Sequence, residues 1–505
     1  MENSAIVEDG VDMKLALAEG KKLSIEKLDL VLEDTKAVKK EKRSKSSSPD
    51  RNGPQSIPLY NVLWAEVSAG NIIIDFAQQT KTAFKHEKWT LALAEAGIEQ
   101  EQCTAPDAFV SALISRAYGE AQPEKRAYIL VNPNSGPGNG VKKWESEVKP
   151  LFAAARMQMD VVILKRGGEA TELAEQVDLD KYDTIIPCSG DGTPHEVFNG
   201  LARRPDAKAA LSKIAVAHVP CGSGNAMSCN LYGSHKPSFA ALAIIKGVVT
   251  PLDLVSVTQG DRRFVSFLSQ ALGIIAESDL GTEHLRWMGS LRFDFGVISR
   301  LFRRRCYPCD IAVKVEYEKN DVKQHYKRHA SDASLRKITS VQTNGEQENL
   351  GLPKLKYGTI QDDLPEGWEL VSYDKIGNFY CGNMAYMAPD VNFFSAAIAA
   401  DGCMDMITIN GDLSPPTALK TFLMVDSGKF FDSPHVEYKK ISAYRIIPRN
   451  QKDGYISIDG ERIPFEPFQA EVHQALGRVI SKRGVYEAEG PANWDKVTVS
   501  ERLHA

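Results

Sequence analysis

No stretch of this chain stays apolar for long. The most apolar run, from Phe264 to Ala276, is interrupted by Ser266, Ser269 and Gln270 and is shorter than the roughly 20 residues that a spanning helix needs. Neither charge is in large excess: a net charge of -5 gives no reason to expect a polyanion partner, so nucleic acid is not expected. The eight cysteines are scattered, and the single CxxC at Cys306 and Cys309 has no second Cys or His pair at ligand spacing, so no structural zinc is expected. The chain opens MENSAIVEDG, without a charged start followed by an apolar run; a reducing, cytoplasmic setting with free thiols is the expectation. No GxxxxGK[ST] occurs, which excludes a Walker-type phosphate cradle. Internal repeats are also missing.

The chain does carry enough apolar residues, 43% of 505, to fill two or three domain cores. Residues 1–56 end in the basic, Ser-rich KKEKRSKSSSPDRNGP and read as a disordered tail. Its Lys39, Lys40, Lys42, Arg43 and Lys45 form either a solvated charge run or an attraction for anionic headgroups. Residues 57–120 begin with VLWAEVS and NIIIDFA, strand-like runs ahead of a helix-like EKWTLALAEA, and read as a small β-rich module. Over residues 121–250 apolar runs (AYILVNP, QMDVVILK, YDTIIPCSG, KIAVAHVPCG) alternate with helix-compatible segments, the rhythm of βαβ units and a parallel sheet. Over residues 251–490 runs such as LDLVSV, CDIAVKVEY, MDMITI and GYISIDGE point to a mostly antiparallel β domain, interrupted at 318–368 by a polar stretch that reads as a disordered insert. The fold class is therefore α/β followed by β.

Three Gly-rich turns follow predicted strands: Asn132-Pro133-Asn134-Ser135-Gly136, Ser189-Gly190-Asp191-Gly192 and Gly222-Ser223-Gly224-Asn225. In α/β domains ligands bind beyond the carboxyl ends of strands, where helix N-termini offer N–H groups to phosphates. One such turn is a common connector; three together point to a nucleotide.

The string Ser-Gly-Asp-Gly-x-x-His-Glu-Val-x-Asn-Gly-Leu at 189–201 and the Pro-x-Gly-Ser-Gly-Asn string at Pro220–Asn225 resemble the diacylglycerol-kinase catalytic superfamily. Further matches at Leu252–Val255, Ser269–Gly273, Asp279-Leu280, Arg286, Arg292 and Asp459-Gly460-Glu461 bring the chain closest to sphingosine kinases of fungal long-chain-base type, over about Arg126 to Ile480. The resemblance implies a Rossmann-like nucleotide domain and a β-sandwich holding lipid, with ATP and Mg²⁺ as cofactors. It implies that Asp191 is the general base, the alternative being a cap on the next helix. It implies that Asn132, Pro133, Asn134, Ser135, Gly136, Glu196, Gly222, Ser223 and Gly224 border the ATP, and that Ser189, Gly190 and Gly192 stand where phosphates and substrate meet. Arg286 and Arg292 would neutralise phosphate charge unless they make surface ion pairs. Asp459, Gly460 and Glu461 would close over the nucleotide unless they form a plain β-turn.

Asp279 matches the family's headgroup aspartate, so the resemblance implies a headgroup site at Asp279 and Ser269; a sphingoid base carries an ammonium beside its primary hydroxyl, which a carboxylate there would suit. Phe293, Phe295, Val297, Ile298, Leu301 and Phe302 before Arg303-Arg304-Arg305 form either a membrane-contacting gate or a core helix. The expected partners are a sphingoid base (sphinganine, sphingosine or phytosphingosine) and the surface of an intracellular membrane, met peripherally; a homodimer is compatible with the sequence. The Mg²⁺ is expected on ATP oxygens, waters and one or two carboxylates, without a dedicated protein metal site. Where the family carries a basic residue and a GGKG-like run, this chain has Asn134 and Ser-Gly-Pro-Gly, with Pro137 at the lysine position. Leu164 and Glu169 replace the family's threonine and histidine. The departures bear on phosphate affinity. A ceramide or diacylglycerol kinase, a non-catalytic regulator of the same fold and a kinase for a soluble substrate are the competing readings. Cys188 and Cys221 flank two of the turns, so thiol reagents are expected to inactivate and ATP to protect.

Overall fold

The computed structural model describes residues 13–34, 55–95, 103–281, 296–297, 300, 304–331, 350–425, 427–451, 454–492 and 494. Contacts divide the chain into two compact units, one comprising residues 1–124, 147–157 and 500–505, the other 125–146 and 158–499.

In the first unit β1 (Met13–Ala16), β2 (Lys21–Ile25), β3 (Asp29–Asp34) and β4 (Gln55–Pro58) form an antiparallel meander. Three more antiparallel strands, β5 (Val62–Ser68), β6 (Asn71–Gln79) and β7 (Phe84–Ala92), make a second sheet, joined to the first by a bridge between Leu17 and Leu93. Helix α1 (Pro106–Tyr118) covers β5, and its Tyr118 hydroxyl donates to the Leu63 carbonyl at 2.7 Å. Two expectations need correcting. Residues 13–34, assigned to the tail, are strands, because Leu15, Leu23, Ile25 and Leu30 lie buried and supply a core that the basic segment lacks. The run at 87–96 looked helical, yet its first six residues belong to β7, whose full length pairs with β6 and whose Trp89 packs edge-on against Phe76; tertiary pairing overrides local helix preference here. The lysine cluster at 39–45 lies outside the described residues.

The second unit opens with parallel strands at the expected places: β8 (Arg126–Val131), β9 (Gln158–Ile163), β10 (Thr184–Ser189), β11 (Ala215–Val216) and β12 (Val219–Pro220). Helices α2 (Glu169–Glu175), α3 (Gly192–Arg203), α4 (Ala226–Tyr232) and α5 (Pro237–Ile245) follow the strands. The remaining strands are β13 (Val248–Gln259), β14 (Arg262–Ser266), β15 (Ser269–Gly273), β16 (Cys309–Glu318), β17 (Glu369–Tyr373), β18 (Ile376–Gly382), β19 (Tyr386–Ala388), β20 (Val391–Asn392), β21 (Met404–Asn410), β22 (Glu437–Pro448), β23 (Ile456–Ile458), β24 (Glu461–Ile463) and β25 (Phe468–Ser481). With them come α6 (Ile274–Gly281), α7 (Lys319–Ser331) and α8 (Pro415–Phe422). Strand β25 is the seam: Val479 pairs in parallel with Val216 of β11, while the same strand runs antiparallel to β13 and β22. Hydrogen bonding thus passes from the parallel to the antiparallel strands in one mixed sheet network, and the strand direction changes near the expected boundary at 250/251. The antiparallel part is built around Val255, Leu272, Phe379, Met404, Tyr444 and Phe468.

The stretch 318–368 departs from the expected disordered insert. Its start is helix α7, which buries Val322 and His325, three residues apart on one face, and sets His325 Nε2 2.9 Å from an Asp401 carboxylate oxygen. Near its end the Lys356 and Tyr357 N–H groups donate to Glu471, and Tyr357 packs edge-on against Trp368. Residues 332–349 lie outside the described residues.

Candidate active site

Strand β8 is flanked by β9 on one side and β10 on the other, so the crossovers leave it in opposite directions. The crevice beyond the carboxyl ends of β8 and β10 is the switch point where α/β sheets bind ligands. The Asn132 and Ser189 turns leave the sheet at that point, and the Asn132 N–H donates to the Cys188 carbonyl.

The three turns pack directly on one another, and glycine makes this feasible. Gly136 has φ +56°, and a Cβ there would stand 2.6 Å from the Cys221 carbonyl oxygen. A Cβ on Gly222 would lie 2.5 Å from Gly190 Cα. Within the first turn the Asn132 side chain accepts from the Asn134 N–H at 2.9 Å; Ser135 is buried and Asn134 exposed. In the third, the Asn225 amide both accepts from the Gly222 N–H (2.8 Å) and donates to its carbonyl (2.9 Å). Gly222, Ser223 and Gly224 remain partly exposed.

Asp191 stands between the second and third turns with a side chain 15% exposed. Its Oδ2 accepts from the Ala226 N–H and its Oδ1 from the Met227 N–H, each at 3.0 Å. It does cap a helix, but that helix is α4 across the cleft, not the one its own turn begins. The cap locks the carboxylate's orientation and leaves further lone pairs on both oxygens. Glu196 also caps: its Oε2 accepts from the Ala170 N–H at the start of α2 (3.2 Å). The Ser189 hydroxyl is turned inward, buried and donating to the Gly190 carbonyl.

The turn 459–461 joins β23 to β24, and its members have different tasks. Asp459 is buried, and its carboxylate collects the Ser266 hydroxyl, the N–H groups of Phe267, Leu268 and Ser269, and His195 Nδ1 at 2.8 Å. That carboxylate is consumed inside the protein. Gly460 and Glu461 are exposed, with Glu461 Oε1 3.2 Å from where a Cβ on Gly192 would be. Burial opposes a charge on His195, but the hydrogen bond and charge of Asp459, helped by Glu461 and Glu196, outweigh it and hold the imidazole above its ordinary value. Asn199, one helical turn on, donates to the Val265 carbonyl and accepts from the Val265 N–H, so the 189–201 string clamps α3 to β14.

Ser269 and Asp279 each meet a hydroxyl on a neighbouring strand. The Ser269 hydroxyl is 3.4 Å from the Tyr380 hydroxyl. Ser457 donates to Asp279 Oδ2 at 3.3 Å, and a Cβ on Gly460 would be 3.8 Å from the same oxygen. Burial raises the Tyr380 hydroxyl well above the usual phenol range, the nearby Asp279 and Asp459 adding to it, so it is a neutral hydrogen-bonding group. Asp279 sits on α6, whose first residues, Ile274 and Ile275, line an apolar cavity with Val297, Phe393, Ile409, Phe422 and Phe430. Of the gate segment, Val297 is buried in the antiparallel core; Arg286, Arg292, Phe293, Phe295, Ile298, Leu301, Phe302 and Arg303 lie outside the described residues.

Cys188 and Cys221 are fully buried, and burial pushes the Cys188 thiol far up. The expectation that reagents reach them is corrected: a thiol that is neither exposed nor ionised reacts slowly. Among the described residues no group of three His, Cys, Asp or Glu side chains is spaced to hold a metal.

Sequence reasoning missed His195, Asn199, Tyr380 and His218. The first two lie inside the recognised string, where only the glycines and acids drew notice. Tyr380 and His218 stand in plain apolar strand patterns, and only the folded pairing brings them to the site.

Residues 126–257 match the family described as diacylglycerol kinase catalytic domain, and residues 13–119 match a domain of unknown function. The chain is 35% identical to sphingoid long chain base kinase 5 of Saccharomyces cerevisiae over 75% of its own length and 62% of that protein. It is 31% identical to sphingoid long chain base kinase 4 of Schizosaccharomyces pombe, over 85% of this chain and 89% of that one. Among solved structures, one assigned as a diacylglycerol kinase from Bacillus anthracis superposes with a TM-score of 0.50 at 18% identity, over 72% of this chain and 97% of that one.

Proposed function

The chain belongs to the family of sphingoid long-chain-base kinases, ATP-dependent lipid kinases, and on that premise we propose which residues carry the transfer and which lipid receives it. ATP lies across the switch point, its phosphates against the three glycine turns, with Mg²⁺ brought in on the phosphate oxygens, an arrangement that needs no dedicated protein cage. When bound, that ion would neutralise phosphate charge and help orient the transferring group. The primary hydroxyl of the sphingoid base approaches Asp191, which aligns it and takes its proton as the oxygen bonds to the γ-phosphorus and the bond to ADP breaks. Arg286 and Arg292 complete the phosphate site, as in the resemblance. The antiparallel strands act as the two layers of a lipid-holding sandwich.

The observation that carries the lipid assignment is helix α6. One end lines the apolar cavity with Ile274 and Ile275, and the other presents Asp279, about 7.5 Å further along the axis at 1.5 Å per residue. An alkyl chain and an ammonium on one ligand need that pairing; diacylglycerol offers no cation for Asp279. A long-chain base resides in a bilayer, so the proposed substrate is collected at a membrane surface. No helix among the described residues is long and apolar enough to cross a bilayer.

The test is phosphate transfer from labelled ATP to sphinganine, ceramide and diacylglycerol, side by side, with wild type and Asp279→Asn. Transfer to sphinganine alone is expected, with kcat/KM about 10–100-fold lower in the variant, the worth of one charged hydrogen bond. Label on the amine-free lipids at the sphinganine rate would remove Asp279 from the headgroup site, and no label on any lipid would make the protein a binding regulator.

A further inference from the structure

His218, between β11 and β12, is fully buried, and the reading above gives it no task. Its Nε2 lies 3.0 Å from the Ser189 carbonyl oxygen. A carbonyl only accepts, so that nitrogen bears the proton and Nδ1 holds a lone pair. Nδ1 has no hydrogen-bond partner. It points at Asp191, 3.9 Å from Oδ1. Two acceptors face each other there, with neither a donor nor a hydrogen-bond distance between them. An unpaired buried acceptor is costly, and a proton placed between these two atoms would satisfy both once they draw together by about 1 Å.

We propose that Asp191 Oδ1 and His218 Nδ1 form one proton slot, into which the hydroxyl proton of the substrate passes during turnover. His218 is a positioning residue acting through Asp191, and the inference rests on Asp191 being the base. The substrate O–H bond breaks as oxygen bonds to the γ-phosphorus, and the proton lands on Oδ1. Rotation about Cγ–Oδ1 turns it to Nδ1, where an N–H bond forms. The result is an imidazolium beside a restored carboxylate, which returns the proton to water through Asp191 after the products leave. The slot also fills from solvent at low pH, and a filled slot blocks the base.

Among the described residues, the charge that acts on the His218 imidazole is that of Asp191. The Tyr232 hydroxyl of α4 accepts from the His218 backbone N–H. On the same helix the Cys229 thiol is pushed up to about 12 by burial and by Asp191. Burial lowers the His218 imidazole below its ordinary value, and Asp191 and the Ser189 carbonyl only partly oppose this; the slot is therefore empty at neutral pH.

His218→Gln retains an N–H donor near the Ser189 carbonyl and removes the ring lone pair. We expect kcat to fall roughly tenfold or more with KM for ATP and sphinganine within about twofold, and the acid limb of the kcat profile to move. A variant with wild-type kcat and an unchanged acid limb overturns the slot while leaving the base intact. Asp191→Asn separates the two ideas: its retention of activity would sink the base reading itself. If the glutamine variant does not fold, nitrogen-15 spectra of the wild-type histidines decide. A solvent-shielded imidazole with its proton on Nε2 at neutral pH is required, and finding that ring with its proton on Nδ1 overturns the proposal.

Discussion

Asp459 has φ +51°, a backbone value that residues other than glycine seldom adopt, and it takes five donors from two segments of chain, His195 and the run 266–269. Truncating it to alanine leaves three buried N–H groups and His195 without their acceptor, so Asp459→Ala should cost about 3–5 kcal/mol, read as a fall in the denaturant midpoint. His195 adds a pH dependence. Its folded pKa is raised, so its stabilising contribution is full below the unfolded value of about 6.5 and is lost as pH climbs through the folded one. The gap in thermal midpoint between wild type and His195→Gln should thus be widest in mild acid and shrink in alkali; a gap that widens with pH contradicts the pairing. The cysteines give a third test at this scale. Cys103 and Cys306 are partly exposed and the other six buried, so a thiol reagent should label those two first, with ATP making no difference, and reach Cys188 and Cys221 only on unfolding.

At the scale of elements, the strands after Arg126 were legible because uninterrupted β-branched runs between glycine turns have few alternatives, and the three glycine-rich turns declared themselves through glycine spacing. Strand β7 and helix α7 were not. The first reads as helix until β6 lies beside it, and the second, among its described side chains, buries only Val322 and His325, too little for a polar stretch to advertise. The apolar cavity was equally hidden, since α6, β18, β21 and α8 each look like ordinary core packing. The cavity makes its own prediction. Ala418 of α8 lines it, so Ala418→Leu should fill space that the alkyl chain occupies and reduce kcat/KM for long-chain bases more than for short ones. A uniform loss across a chain-length series would mean general repacking, and no loss would place the tail elsewhere.

On the scale of the whole molecule, the sequence divides at residue 250 by strand rhythm, yet β25 returns from the far end of the chain to pair with both β11 and β13. A pairing 263 residues away from its partner Val216, at Val479, has no local signal. At the seam His195, Asn199 and Asn230 clamp the parallel part to β14, β19 and the turn 459–461, which holds Asp191 and Asp279, the proposed base and headgroup carboxylate, in one framework. The most direct test of that arrangement is the rate of γ-phosphate transfer to sphinganine by Asp191→Asn, measured beside its affinity for ATP. The account predicts a rate lower by ~10²–10⁴ with ATP affinity unchanged; wild-type transfer by the asparagine variant would contradict it.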